Sequence, residues 1–310
     1  MTVPPASFPV FEQVLRRNAG LKFSPEKSYL LTARLSDIMA REGCATLDAL
    51  AERLVNAPHR HVLERHVVEA MLNHESFFFR DRTPFTELEA TVYPGLRGAR
   101  AARRHLSIWS AACAGGQEPY SLAMQLIEQQ ADWQGWRIDL LASDISHAAV
   151  IRAEKGEYSQ FEVQRGLSIH RLLRHFTQDA DKWIVSKEVR DSIRFERRSL
   201  LQPPPAAPGR TGKFDIIFAR NVLMYLAAEE KAQAIQMLRR ALADDGVLII
   251  GAAETLFGYA DLFVQHPACR GFYAPVLGDA PSAVEIPPSG ELNEKERAEA
   301  VFLRAPPATH

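Results

Sequence analysis

Apolar positions recur at helical spacing through the N-terminal part of the chain. Phe8, Phe11, Val14 and Leu15 form one such set. Leu30, Leu31, Leu35, Ile38 and Met39 form a second, Leu47, Leu50, Leu54 and Val55 a third, and Val62, Leu63, Val67 and Met71 a fourth. This 3.6-residue period predicts amphipathic helices over residues 8 to about 72, and no strand pattern interrupts them. Ser24-Pro25-Glu26 reads as a helix start, because proline fits the first turn, where its missing N–H is not needed. Gly43 reads as a stop, and Thr46 as an N-cap before the next apolar run.

From about residue 104 the pattern changes. Short continuous apolar runs, as in buried parallel strands, predict strands at His105–Ser110, Ile138–Ser143, Ile193–Glu196, Phe214–Ala219 and Val247–Gly251. Helical patterns separate several of them, notably Ala228–Ala243, which Asp244-Asp245-Gly246 is expected to close. Strand–helix alternation predicts an α/β, Rossmann-like doubly wound sheet beside the small all-helical N-terminal domain. The expected division is 1–72 helical, 73–98 interdomain, 99–277 α/β, and 278–310 a mobile Pro-, Ala- and Glu-rich tail with one short helix at Asn293–Leu303.

Composition narrows the classes of function. In 310 residues, 46% are hydrophobic and 24% charged, as in a soluble globular protein. A formal net charge of -1 provides no global field toward nucleic acid or membrane. No apolar run approaches the roughly 20 residues of a membrane span, and the start lacks a basic-then-apolar leader. Cys44, Cys113 and Cys269 are odd in number and far apart, without metal-ligand spacing. They predict free thiols, no metal, and a cytoplasmic, reducing location.

The candidate chemistry lies at strand ends. S-I-W-S-A-A-C-A-G-G-Q-E-P-Y-S, residues 107–121, runs from strand through small residues to Glu118 and Pro119 at a helix start. An α/β sheet builds a nucleotide-sized site at such a turn, and Gly115 and Gly116 would let backbone approach a ligand closely. An ordinary βα turn without ligand is the alternative. The spacing departs from G-x-G-x-x-G, which favours a nucleoside without phosphates over a pyrophosphate. Asp144 ends the second strand and suits two hydrogen bonds to ribose hydroxyls; it also reads as a helix N-cap. Arg220-Asn221 and Glu254 follow two further strands and are expected to converge on the same crevice. N-H-E-S-F-F-F-R-D, residues 73–81, reads as core phenylalanines beside an ion-pairing Arg80.

Taken together, N-H-E-S-F-F-F-R-D, S-A-A-C-A-G-G-Q-E-P-Y-S-L-A-M, A-S-D-I-S and F-D-I-I-F-A-R-N-V-L-M-Y-L resemble, in order and spacing, the CheR family. These are S-adenosylmethionine-dependent methyltransferases that esterify glutamates of bacterial chemoreceptors, leaving S-adenosylhomocysteine. The resemblance covers about residues 8 to 277. It implies cofactor contacts at His74, Ser76, Arg80, Glu118, Asp144, Ser199, Leu200, Asn221 and Val222, and a reacting centre at Arg80 and Tyr225. It also implies methyl transfer by in-line displacement, with Arg80 and Tyr225 positioning the acceptor carboxylate. A methyltransferase of the same fold with another protein acceptor, and an inactive cofactor-binding regulatory module, are the alternatives. Ala112 stands where the family usually has Gly, Gln117 where it has the first Glu, and Ser199 where it has Asn.

The implied partner is the cytoplasmic methylation region of chemoreceptors, without nucleic acid or membrane insertion. Lys27, Arg34 and Arg41 recur by seven on one predicted helix and would offer a basic face to an acidic substrate; a solvated face is the alternative. Some family members dock a receptor-tail peptide on an inserted β-hairpin. Here the matching residues 175–189 are short and lack glycine, so such docking is expected to be weak or absent.

Overall fold

The computed structural model describes residues 6–58, 60–208, 212–267 and 269–277. The predicted helix at Asn293–Leu303 and the tail from 278 lie outside the described residues.

Four helices make the N-terminal domain: α1 (Phe8–Ala19), α2 (Tyr29–Arg41), α3 (Leu47–Asn56) and α4 (Arg60–Met71). Their apolar stripes meet in one core, in which Phe11, Leu31, Leu35, Leu50 and Val67 are completely buried. Thr46 caps α3 by accepting from the Ala49 N–H at 3.2 Å. Pro25 opens a single 3-10 turn, Pro25–Lys27, rather than α2 itself. Lys27 is therefore off the helix that carries Arg34 and Arg41.

Short helices α5 (Thr83–Glu87) and α6 (Tyr93–Ala99) lead into the α/β domain. There follow β1 (His105–Ala111), α7 (Gln117–Glu128), β2 (Arg137–Asp144) and α8 (His147–Lys155). An insertion comes next: β3 (Glu157–Ser159), α9 (Gln160–Gln164), α10 (Ile169–His175), β4 (Phe176–Asp179) and β5 (Lys182–Val185). The chain returns through α11 (Lys187–Asp191), β6 (Ile193–Arg197), β7 (Phe214–Ala219), α12 (Ala228–Ala241), β8 (Leu242–Ile250), β9 (Phe263–Gln265) and β10 (Phe272–Pro275).

The main sheet has the order β6-β2-β1-β7-β8-β10-β9. Its first five strands are parallel, and β10 and β9 close one edge antiparallel. The chain moves outward from β1 to β6, then crosses to β7. The strand order therefore reverses between β1 and β7, and a crevice opens there beyond their carboxyl ends. Every β7 position is buried, which accounts for its unbroken apolar run.

Two expectations change. The sheet gains an antiparallel edge whose strands, β9 of three residues and β10 of four, are too short to show a period in the sequence. Asp244-Asp245-Gly246 does not close a helix either: α12 stops at Ala241 and these residues lie within β8, beside a register shift at Phe214/Ile216. Buried Arg100 explains how acidic residues are accommodated there, since it binds both Asp245 and Asp215, the latter at 2.9 Å.

The insertion folds as a small antiparallel sheet, β3-β5-β4. The β4–β5 hairpin turns through Ala180 and Asp181 alone, and Ala180 (φ 51°) takes the left-handed conformation that glycine usually supplies.

Candidate functional site

A cavity of about 380 Å³ opens at the β1/β7 reversal, between the helical and α/β domains. Glu118 lies on its wall. The carboxylate sits in the first turn of α7, where the helix dipole favours an anion. It accepts from the Ser110 hydroxyl at 2.8 Å and from Arg220 Nη1 at 3.0 Å. Burial pushes the Glu118 carboxyl above its ordinary range, and Arg220 and Ser110 oppose that rise.

The turn before α7 differs from its sequence reading. Ala112, Cys113 and Ala114 line the cavity, and the two glycines do not. A side chain at Gly116 (φ 90°) would lie 2.9 Å from Ala153 Cβ, and the Gly115 carbonyl accepts from the Tyr158 hydroxyl at 2.5 Å. Gly116 thus admits α8 and the insertion, and a Cβ at Gly115 would instead meet the Gln117 side chain, 3.1 Å from its Oε1. Ala112 (φ 57°) is left-handed, as a glycine at this place would be at no cost; for alanine this conformation costs about 1 kcal/mol. Gln117 is buried with Oε1 unpartnered. Burial, with Asp144 and Glu118 nearby, pushes the Cys113 thiol up, so it stays protonated and unreactive.

Asp144 ends β2 and lines the same cavity. Oδ2 accepts from the Ala114 N–H at 2.9 Å and Oδ1 from the Ser146 N–H at 2.8 Å. Burial raises its pKa against those two N–H groups. The N-cap of α8 is Ser146 rather than Asp144.

Arg220, at the exit of β7, reaches the crevice as its strand-end position predicts, and it is also a hub. Its side chain is 1% exposed. Nη1 binds Glu118, while Nη2 donates to the Arg80 carbonyl at 2.9 Å and to Asp81 Oδ2 at 2.6 Å. It thereby ties the 73–81 segment to the first turn of α7. Phe79, Asp81 and Arg82 all have positive φ (50°, 67° and 48°), a bent backbone that these contacts hold. Asn221 is also left-handed (φ 58°). Glu254 explains this, although it does not face the crevice as expected. Its carboxylate accepts from the backbone N–H groups of Asn221 (2.7 Å), Met224 (3.1 Å) and Gly251 (2.8 Å) and shapes the 221–225 loop from behind.

The helical domain forms the opposite wall. Leu21 bridges Leu226, the Lys22 N–H donates to the Tyr225 carbonyl at 2.7 Å, and the Ala227 N–H to the Gly20 carbonyl at 2.9 Å. This clasp sets Tyr225, whose hydroxyl accepts from Asn73 Nδ2 at 3.0 Å. Arg34 lines the cavity, and its Nη1 donates to the carbonyls of Met71 (2.8 Å) and Leu72 (3.1 Å), which caps the end of α4 just before the 73–81 segment. Lys27 lines the cavity; Arg41 is exposed and lies outside it.

His74, Ser76, Arg80, Glu118, Asp144, Asn221, Val222 and Tyr225 thus share one cavity. Ser199 and Leu200 are not among its lining residues. The Ser199 hydroxyl accepts from the Leu201 N–H at 3.2 Å, and Leu200 packs into the core beneath the sheet. Lys22, unremarked in the sequence, joins the lining. Among the described residues no cluster has the makings of a metal site, and no helix is long and apolar enough to cross a membrane.

The donor set fits S-adenosylmethionine. Two buried carboxylates suit an ammonium and a ribose diol, and in their ionised form, which Arg220 favours at Glu118 and two N–H groups favour at Asp144, both would repel phosphate. His74 Nε2 is buried at the cavity without a partner, one more group available to a polar ligand.

Comparison with known proteins agrees. Residues 74–272 match the family model described as CheR methyltransferase, SAM binding domain, and residues 6–72 the CheR methyltransferase, all-alpha domain. The chain is 35% identical over 265 residues to chemotaxis protein methyltransferase 1 of Pseudomonas aeruginosa, covering 84% of this chain and 94% of that protein. It is 34% identical over 258 residues to a chemotaxis protein methyltransferase (Cher2) of Pseudomonas putida, covering 82% and 92%. These matches, over nearly all of both domains, place the chain in the CheR methyltransferase family, as an S-adenosylmethionine-dependent methyltransferase.

Proposed function

We propose that the protein methylates glutamate side-chain carboxylates in the cytoplasmic methylation region of chemoreceptors. The observation that carries this reading is the placement of Arg80 and Tyr225 on the same cavity as Glu118 and Asp144. Glu118 would hold the amino-acid end of the cofactor, Asp144 its ribose, and Asn221 and Val222 the wall beside them. When bound, S-adenosylmethionine supplies an electrophilic methyl group on a sulfonium.

What the chain's own residues contribute is placement and desolvation. A glutamate acceptor is already ionised at neutral pH, its reference pKa being about 4.3, so no side chain has to remove a proton. Arg80 offers a planar fork of five N–H donors. Among the described residues one hydrogen bond occupies it, from Nη1 to the Glu75 carbonyl at 3.1 Å. Tyr225 accepts from Asn73 and keeps its own O–H to donate. A charged fork and a neutral hydroxyl orient the carboxylate without a fully enclosing ion pair, which would blunt it as a nucleophile. Lys22 and Lys27 at the cavity give the approaching acidic segment a local positive field on a chain of net charge near zero. We also propose weak or absent docking of a receptor-tail peptide, because the β4–β5 hairpin turns in two residues.

Tyr225→Phe tests the positioning role. Transfer of labelled methyl to receptor-containing membranes should fall by about tenfold, the worth of one hydrogen bond to a charged group. Affinity for S-adenosylhomocysteine should stay within about twofold. Unchanged transfer with cofactor binding intact would remove Tyr225 from the reacting centre.

A further inference from the structure

The insertion between α8 and α11 has no part in the chemistry described so far, yet it grips the segment that carries it. Its contacts follow residues 75–79 almost one by one. Arg165, just after α9, pairs with Glu75 at 2.9 Å and places its guanidinium 4.3 Å from the centre of the Phe77 ring. Gly166 meets Phe78 backbone to backbone: at φ 98°, a Cβ there would fall 1.9 Å from the Phe78 carbonyl oxygen. The Phe78 ring packs edge-on against Tyr158 of β3 (4.9 Å) and Phe176 of β4 (5.5 Å). Arg171 of α10 lies over the Phe79 ring at 4.0 Å. The next residue is Arg80.

Arg80 rests on the same two supports as Arg165. Its guanidinium lies 5.4 Å from the centre of the Phe77 ring, and its Nη1 donates to the Glu75 carbonyl. Two arginines from different parts of the chain thus share one aromatic ring and one residue. Arg80 lines the cavity and Arg165 does not.

We propose that Arg165 is a positioning residue for methyl transfer: it fixes the Arg80 fork by holding the Phe77 ring and Glu75 on which that fork rests. The proposal rests on the reading of Arg80 as the group that orients the acceptor carboxylate. A planar guanidinium can pair with Glu75 and stack on Phe77 at once; a lysine keeps only the ion pair and part of the cation–ring attraction. Gly166 is the fulcrum, because only glycine lets the insertion reach the Phe78 carbonyl.

Arg165 is 44% exposed at the side chain, so its replacement leaves the core intact. The test measures methyl transfer to receptor-containing membranes at saturating S-adenosylmethionine, with the thermal midpoint recorded for each variant. Arg165→Ala should lower kcat by about fivefold, the worth of one exposed ion pair and one cation–ring contact, with the midpoint nearly unchanged. Arg165→Lys should recover part of that loss. In an Arg80→Lys background, Arg165→Ala should change the rate by less than about twofold, because the two residues act as one unit. Gly166→Ala should lower kcat by more than Arg165→Ala does. Wild-type rates in Arg165→Ala, or a full additional loss in the Arg80→Lys background, would overturn the proposal. Absence of transfer by the wild type itself would instead contradict the function proposed above.

Discussion

Arg220→Gln weakens S-adenosylhomocysteine binding by about a hundredfold and gives it a new pH dependence. The reason lies in the charges around Glu118. Burial raises its pKa, and the groups that oppose the rise are Arg220, the Ser110 hydroxyl and, at longer range, Arg80. Removing Arg220 removes the largest opposition, so the carboxyl holds its proton to higher pH. A protonated carboxyl attracts an ammonium weakly. As pH is lowered, affinity in the variant should therefore begin to fall at a higher pH than it does in the wild type. The variant also leaves Asp81 without its 2.6 Å partner and frees the bent 79–82 backbone. Breaking a buried pair on one side costs about 3–5 kcal/mol; here the partial exposure of Asp81 brings the expected loss of stability toward 2–3 kcal/mol. Calorimetric titration of S-adenosylhomocysteine at several pH values checks this. Equal affinities and superimposable pH profiles would show that Arg220 does not set the charge of Glu118.

Arg80→Ala lowers kcat for methyl transfer by about two orders of magnitude. Arg80 is half-buried on the cavity wall, and in the proposed function its fork orients the incoming carboxylate. Without it the acceptor loses orientation, and a misplacement of about 1 Å suffices for a hundredfold loss. The fold should survive, since the Arg80 main chain stays bonded to Arg220 through its carbonyl. Steady-state kinetics with the thermal midpoint measured in parallel checks this. A fall in rate matched by a fall in midpoint would assign Arg80 to structure instead.

The architecture was readable from the chain because each element carries its own signal. The apolar stripes of α1 to α4 and the unbroken apolar runs of β1, β2, β7 and β8 reflect what each buries. Three-residue β9 and four-residue β10 are too short to show a period. The site was legible in part. Glu118, Asp144 and Asn221 lie at strand or helix ends, where the fold itself makes a crevice. What was not legible depends on distant pairing. Arg220 reads as one more strand-end residue until Glu118 and Asp81, 102 and 139 positions away, prove to be its partners. Lys22 comes to the cavity only because Leu21 bridges Leu226. Gly115 and Gly116 read as ligand-facing, yet Gln117 occupies the open side of the first and Ala153 and Tyr158 that of the second. Arg34, read as part of a basic helix face, lines the cavity while its Nη1 also binds the end of α4, a pairing 37 and 38 positions away.

Carboxylate methylation is tested most directly by the chemical lability of the product. Purified protein is incubated with methyl-labelled S-adenosylmethionine and chemoreceptor-containing membranes, and the labelled receptor is then treated with mild base. Esterified glutamates should release the label as methanol, in amounts that vanish when the receptor's acceptor glutamates are replaced by alanine. Base-stable label, or tight S-adenosylhomocysteine binding with no label on the receptor, would contradict methyl transfer to receptor glutamates.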